Sequence, residues 1–224
     1  MKITLITGGL GFIGSNICDS LLQKKYTNKC ILLDNFGGYM NPIKDSFIDF
    51  RKQRFPSLKN IIIERCDTSN YKALSSIINK YKPNYIYHTA ALPLAKVSNL
   101  NNEEAKISSV DSTINIIDAI NLLKNSNQKY KFDRFVYFSS SMVYGDFKKS
   151  TVTEESEKNP KDAYGIMKLA GEVVTEGLCR LHNIPYTIIR PSAVYGPKDM
   201  NRRVSQIFIE NAFKKQEISI QGKN

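Results

Sequence analysis

The stretch from Lys2 to Asp34 limits what this chain can fold into more than any other. An apolar, β-branched run, Ile3-Thr4-Leu5-Ile6-Thr7, reads as a buried strand. Glycines follow at once in Gly8-Gly9-Leu10-Gly11-Phe12-Ile13-Gly14-Ser15, and apolar periodicity then predicts a helix over about 12–25. A second apolar run, Cys30 to Leu33, ends in Asp34. Gly9, Gly11 and Gly14 fit G-x-G-x-x-G, while Gly8, Gly11 and Gly14 fit G-x-x-G-x-x-G. A glycine triplet alone is a common loop, but here a strand precedes it and a helix follows, which is the context the motif demands.

The chemistry of such a turn is that of a dinucleotide site. A pyrophosphate must approach the backbone at a helix N-terminus, where free N–H groups and the helix dipole favour negative charge. A side chain on Gly8 or Gly11 would block the turn or the phosphate, and one on Gly14 would push the helix off the strand. Contacts are therefore expected along Gly8, Gly11, Phe12, Ile13 and Gly14. Asp34 follows Gly14 by twenty residues, at the end of the next strand. A carboxylate there accepts hydrogen bonds from the adenosine ribose and repels a 2′-phosphate, so the expected cofactor is NAD.

A chain of 224 residues can bury a substantial core as one domain, or one domain and part of a second. No apolar run approaches the ~20 residues of a membrane span, and Ile3 to Ile6 is too short for a signal-peptide core. No membrane partner and a cytoplasmic location are expected. The net charge of +11 raises the question of a nucleic-acid partner. The lysines are dispersed among Asn, Ser and Tyr rather than gathered on one face, so a solvated surface is expected and no nucleic acid. Cys18, Cys30, Cys66 and Cys179 form no C-x-x-C pair and read as buried reduced thiols. With only His88 and His182 beside them, no metal site is expected.

Strand and helix signals alternate through the rest of the chain. Strands are expected at 60–64, 85–88, 135–138, 185–190 and 218–221, and helices at 71–81, 103–123, 163–181 and 204–215. Ile43, Phe47 and Phe50 suggest a further short amphipathic helix ending before Pro56. This alternation predicts an α/β fold, a doubly wound parallel sheet of Rossmann type. In Ala163-Tyr164-Gly165-Ile166-Met167-Lys168, a spacing of four puts Tyr164 and Lys168 on one helix face. An ammonium there stabilises phenolate and draws a tyrosine pKa of ~10 toward neutrality, preparing it as a base for a hydroxyl proton.

Thr7-Gly8-Gly9-Leu10-Gly11-Phe12-Ile13-Gly14-Ser15 with Asp34-Asn35 resembles the extended short-chain dehydrogenase/reductases, and more narrowly the NAD-dependent epimerase/dehydratase family acting on nucleotide sugars. His88-Thr89-Ala90-Ala91, Tyr164-x-x-x-Lys168 and Arg190-Pro191 with Val194-Tyr195-Gly196-Pro197 continue the likeness to the end of the chain. The resemblance implies further cofactor contacts at Asn35, Asp67, Thr68, Ala90, Ala91, Tyr164, Lys168 and Pro191. It assigns Ser140, four residues before Tyr144, as the hydroxyl that completes a catalytic set with Tyr164 and Lys168. Ser139 and Ser141 flank it, and the sequence leaves that assignment open by one residue. Asp67 reads equally as a partner of the adjacent helix start, and His88 as a structural residue. Ser140, Ser141 and Arg202, or its neighbour Arg203, are the expected contacts to a nucleoside diphosphate sugar.

Dehydratases of the family carry Asp-Glu where this chain has Ser141-Met142, so the resemblance leans to a 4-epimerase. A ketoreductase, dehydrogenase or dehydratase of the same family, and a non-catalytic NAD-binding module, are the alternatives. Residues 1–190 are expected to form the NAD-binding domain and 191–224 the start of a small substrate-binding part. Relatives generally run about a hundred residues further, so a truncated or shortened chain is expected. Relatives often dimerise through helices corresponding to 103–123 and 163–181, and a homodimer is expected here.

Overall fold

A computed structural model describes residues 1–37, 55, 57–92, 101–147, 150–196, 199 and 204–219. The chain divides into two compact units, Met1–Ser192 and Ala193–Asn224. In the first, six strands form one sheet: β1 Ile3–Thr7, β2 Lys29–Asp34, β3 Ile61–Arg65, β4 Tyr85–His88, β5 Arg134–Phe138 and β6 Tyr186–Ile189. The spatial order is β3-β2-β1-β4-β5-β6 and every described pairing is parallel. The expected doubly wound sheet is therefore the observed one. Its order reverses between β1 and β4, and a ligand crevice opens beyond the carboxyl ends of the strands at such a switch point.

The helices are α1 Phe12–Gln23, α2 Tyr71–Tyr81, α3 Asn102–Lys106, α4 Ser112–Ser126 and α5 Ala163–Leu181 in the first unit, and α6 Val204–Phe213 in the second. β1 and β2 read as near-continuous apolar runs because both faces of the sheet are covered. Leu5, Ile31, Leu33 and Ile86 face a core with Ile116, Ile120 and Cys179, while Ile6, Leu32 and Cys30 face Leu10 and Cys18. All four cysteines are buried and reduced. Among the described residues no helix is long and apolar enough to cross a membrane.

Two expectations change. The helix expected over 103–123 runs from Asn102 to Ser126, but it is interrupted by a π-type turn, Ile107–Asp111. Beside it the Ser112 and Thr113 hydroxyls bond back to the Ser108 and Ser109 carbonyls. The expected last strand over 218–221 is not formed across its described part, because Ile218 and Ser219 are irregular and exposed. β-branched sequence makes no strand without a ladder partner, and none is present for it among the described residues. The helix suggested by Ile43, Phe47 and Phe50 lies outside the described residues.

Candidate active site

The glycine turn is built by backbone contacts that tolerate no side chain. Gly8 sits at φ +63°, and a Cβ on it would lie 2.9 Å from the Ala90 backbone nitrogen. A Cβ on Gly14 would lie 2.5 Å from the Gly8 carbonyl oxygen. The turn closes with the Gly11 amide donating to the Gly8 carbonyl at 2.9 Å. Gly11 is the N-cap of α1 and no side chain caps that end, nor is there an acidic residue in the first turn. The amides that open α1, those of Phe12, Ile13 and Gly14, have no intrahelical acceptor and carry the positive end of the helix dipole. This cradle of backbone donors, held open by absent side chains, fits a dinucleotide pyrophosphate.

The next strand supplies the acidic partner. Asp34 is buried, with Oδ2 accepting from the Leu10 amide at 3.1 Å and Oδ1 from the Phe36 amide at 2.9 Å. The glycine turn thus fixes the carboxylate at the carboxyl end of β2. Beside it, Asn35 Nδ2 donates to Asp67 Oδ2 at 3.0 Å. The Ser69 amide and hydroxyl donate to Asp67 Oδ1 at 2.9 and 2.7 Å. Partial burial works against the Asp67 carboxylate, but the bonds from Asn35 and Ser69 outweigh it and hold the pKa below the ordinary value. Asn70, not Asp67, caps α2 by accepting from the Ala73 amide at 3.1 Å. A cavity of about 420 Å³ is lined by Asn35, Arg65, Cys66, Asp67, Asn70 and Ala73. Thr68 is buried and its carbonyl accepts from Asn115 Nδ2 on α4 at 3.0 Å.

His88, at the end of β4, ties this cradle together. Ser112 Oγ donates to the Ser108 carbonyl, so it accepts from His88 Nε2 at 3.2 Å. That leaves Nδ1 to accept from the Thr7 hydroxyl at 2.7 Å, while Thr7 Oγ1 accepts from the Ala90 amide at 3.2 Å. Ala90 and Ala91 are half-buried beside this network. Complete burial, and secondarily the Lys168 charge, pull the His88 pKa down to about 3. An unfolded histidine takes up a proton near ~6.5 and the folded one only near 3, so the unfolded chain binds more protons as the pH falls between those values. Stability from this group is full above ~6.5, and roughly 3 kcal/mol of it is lost by pH ~4. Denaturant unfolding at pH 7 and 4 measures the loss. His88→Asn, which keeps an acceptor for Thr7, should show a clearly smaller decline between the same two pH values.

On the other side of the switch point, β5 runs into a 3₁₀ turn, Ser141–Tyr144. The three serines part company here. Ser139 is buried and its hydroxyl has no hydrogen-bond partner among the described residues. Ser140 Oγ caps the turn by accepting from the Met142 amide at 3.2 Å. Ser141 is half-buried, and its amide donates to the Pro191 carbonyl at 3.0 Å, joining the turn to the segment after β6.

The N-terminus of α5 packs onto that turn. Asp162 caps the helix through the Gly165 amide at 2.7 Å, and a Cβ on Gly165 would come within 2.7 Å of the Met142 carbonyl. Glycine after Tyr164 thus allows the helix to approach the serine turn. Lys168 is buried, and its Nζ donates to the Phe138 carbonyl at 2.7 Å, two residues before Ser140. The same Nζ lies 5.9 Å from the centre of the Tyr164 ring. Burial pulls the Lys168 pKa down to about 8, and the Glu172 carboxylate opposes that fall. The structure thus brings Tyr164 and Lys168 onto the helix that packs on the Ser140 turn. Arg202 and Arg203 lie outside the described residues.

Contacts that sequence reasoning did not foresee hold this arrangement. Arg190 donates to both oxygens of Glu172 at 2.8 Å, and to Tyr144 Oη at 2.8 Å. Gly171 allows the Tyr137 hydroxyl and the Ser109 carbonyl to approach α5, since a Cβ there would lie 2.1 and 2.8 Å from them. The family motifs contain Tyr144 and Arg190, but nothing local in the sequence pairs them.

A glycine cradle at the switch point, a buried carboxylate at the end of β2 and a Tyr–Lys pair on a helix packed against a serine turn define the short-chain dehydrogenase/reductase architecture. The chain belongs to the NAD dependent epimerase/dehydratase family, whose model matches residues 4–224. It is 33% identical over 223 residues to a putative UDP-glucose 4-epimerase of Methanocaldococcus jannaschii, covering 97% of this chain and 65% of that one. It is 27% identical to a dTDP-D-glucose 4,6-dehydratase of Dictyostelium discoideum, covering 97% of this chain and 50% of that one. The crystal structure of UDP-glucuronic acid 4-epimerase from Bacillus cereus, in complex with UDP-glucuronic acid and NAD, superposes with a TM-score of 0.81 at 26% identity, over 98% of this chain and 66% of that one. The chain thus spans about half to two thirds of the length of these relatives.

Proposed function

We propose that this chain is the NAD-binding and catalytic part of a nucleotide-sugar 4-epimerase. The observation that carries the reading is the placement of Tyr164 and Lys168 on a helix packed against the Ser140 turn, where neither Ser141 nor Met142 offers a carboxyl group for elimination. Residues 1–190 hold NAD through Gly8, Gly11, Phe12, Ile13 and Gly14 at the pyrophosphate and Asp34 and Asn35 at the adenosine ribose. Asp67 and Thr68 serve the adenine, and Ala90, Ala91 and Pro191 the nicotinamide side. NAD supplies a nicotinamide that takes a hydride from a sugar carbinol carbon and later gives it back.

Tyr164 removes the proton from the sugar hydroxyl. Lys168 keeps its ammonium beside the resulting phenol–phenolate pair, with protons to spare beyond the one given to Phe138. Ser140 holds the reacting oxygen against Tyr164, and Ser141 and Arg202 contact the nucleoside diphosphate sugar. Residues 191–224 begin the substrate-binding part. The four reduced thiols suit a cytoplasmic enzyme. The test is incubation of the chain with NAD and UDP-hexoses, followed by NMR. The expected result is inversion at C4 without net formation of NADH. Accumulating NADH would favour a dehydrogenase, and loss of water a dehydratase.

The protein is also proposed to be a homodimer through the helical stretch 103–123 and α5, residues 163–181. Ile166, Val173 and Leu181 recur along one face of α5 and are 48%, 64% and 70% exposed, an apolar stripe of the kind that packs against another helix. Light scattering at micromolar concentration should give twice the chain mass, and Val173→Glu should give the monomer. A monomeric wild-type chain would end this part of the reading.

A further inference from the structure

We infer that Arg190 is a positioning residue that sequesters the Glu172 carboxylate from Lys168 and ties the serine turn to α5. This rests on the role of Lys168 proposed above. Arg190 lies directly after β6. Its Nε and Nη2 donate to the two oxygens of Glu172, each at 2.8 Å, in the two-pronged geometry that suits guanidinium to carboxylate. Its Nη1 donates to Tyr144 Oη at 2.8 Å and to the Glu154 carbonyl at 2.9 Å. The guanidinium carbon lies 5.3 Å from the centre of the Tyr144 ring. One side chain thus joins the helix bearing Tyr164 and Lys168, the turn bearing Ser140, and the connection between them.

Glu172 is the charge that this clamp controls. It sits one turn beyond Lys168 on α5, and both side chains are buried. A free carboxylate at that distance would hold the ammonium and raise its pKa. With both oxygens engaged by Arg190, Glu172 leaves Lys168 on the Phe138 carbonyl. Among the described residues, β5 presents Tyr137 to Lys168, with Nζ 5.3 Å from its ring centre, and β4 presents neutral His88. α5 itself presents Tyr164 and Glu172, while Arg190 and Tyr144 stand behind Glu172. The clamp therefore governs the only carboxylate in this set.

The test reads Lys168 directly, by NMR titration of the chain labelled with ¹³C at lysine Cε, the resonance being assigned by its loss in Lys168→Met. Arg190→Gln frees the carboxylate and should raise the Lys168 midpoint by about one pH unit or more. Glu172→Gln removes the carboxylate and leaves the guanidinium, and should lower it by a similar amount. The double variant should return close to wild type. A purely structural brace would change thermal stability but leave the midpoint within about 0.3 pH units in every folded variant, which would overturn the inference, as would shifts of opposite sign. If Arg190→Gln does not fold, Arg190→Lys is read for a smaller rise, and Glu172→Gln, which preserves shape, decides independently. The titration needs neither cofactor nor turnover. Inactivity with the expected midpoints would sink the catalytic reading and leave the clamp standing, whereas an active enzyme with unmoved midpoints would do the reverse.

Discussion

Gly14→Ala is expected to weaken NAD binding by about 30-fold or more, equivalent to roughly 2 kcal/mol, measured by calorimetric titration. The added Cβ would sit 2.5 Å from the Gly8 carbonyl and 2.9 Å from the Gly9 Cα, so backbone rather than a flexible side chain must yield. Either α1 moves off β1, carrying away the amides of its first turn, or the Gly8 turn opens and loses its contact with Ala90. Both routes disturb the cradle while leaving most of the sheet intact, so a cooperative melt should persist with a loss on the order of 1–3 kcal/mol. Gly177→Ala is the control. It adds a Cβ with nothing within 4 Å, so it should leave affinity unchanged. In the monomeric Val173→Glu background it should also raise stability by up to about 1 kcal/mol, because alanine favours a helix interior.

Tyr164→Phe is expected to lower kcat by about 10³-fold, in the range lost with a general base, while NAD affinity changes less than about threefold. The substitution removes one oxygen and keeps the ring whose centre lies 5.9 Å from Lys168 Nζ, so packing at the start of α5 is retained. Lys168 still donates to the Phe138 carbonyl, so the loss should fall on proton transfer alone. An equal fall in affinity and turnover would mean that the hydroxyl serves binding, and an unchanged kcat would remove Tyr164 from the chemistry.

What the sequence revealed was local. The glycine spacing, the strand before it and the helix after it all lie within Lys2 to Asp34, and each constrains the others, so the strand–turn–helix geometry was legible. The Tyr–Lys pair was legible because four residues is one helical turn. What could not be read was long-range or geometric. Arg190 reaches partners 18, 36 and 46 positions away, and no local pattern pairs them. The π-type turn at 107–111 carries no Gly or Pro and interrupts no spacing among Ile107, Val110, Ile114 and Ile117, so nothing local announces it. The separate fates of Ser139, Ser140 and Ser141 depend on the turn that follows β5, which three identical side chains cannot disclose. Ile218 and Ser219 carried strand propensity but found no strand to pair with among the described residues.

The central claim is that the glycine cradle and the Tyr–Lys helix together serve NAD-dependent turnover of a nucleotide sugar. Mass spectrometry of the small molecules released by denaturing the purified protein tests it most directly, with NAD titration as its companion. The expected result is NAD together with a nucleoside diphosphate sugar, or saturable NAD binding where purification has stripped the site. No released dinucleotide and no binding on titration would contradict the reading of Gly8 to Gly14 on which the rest depends.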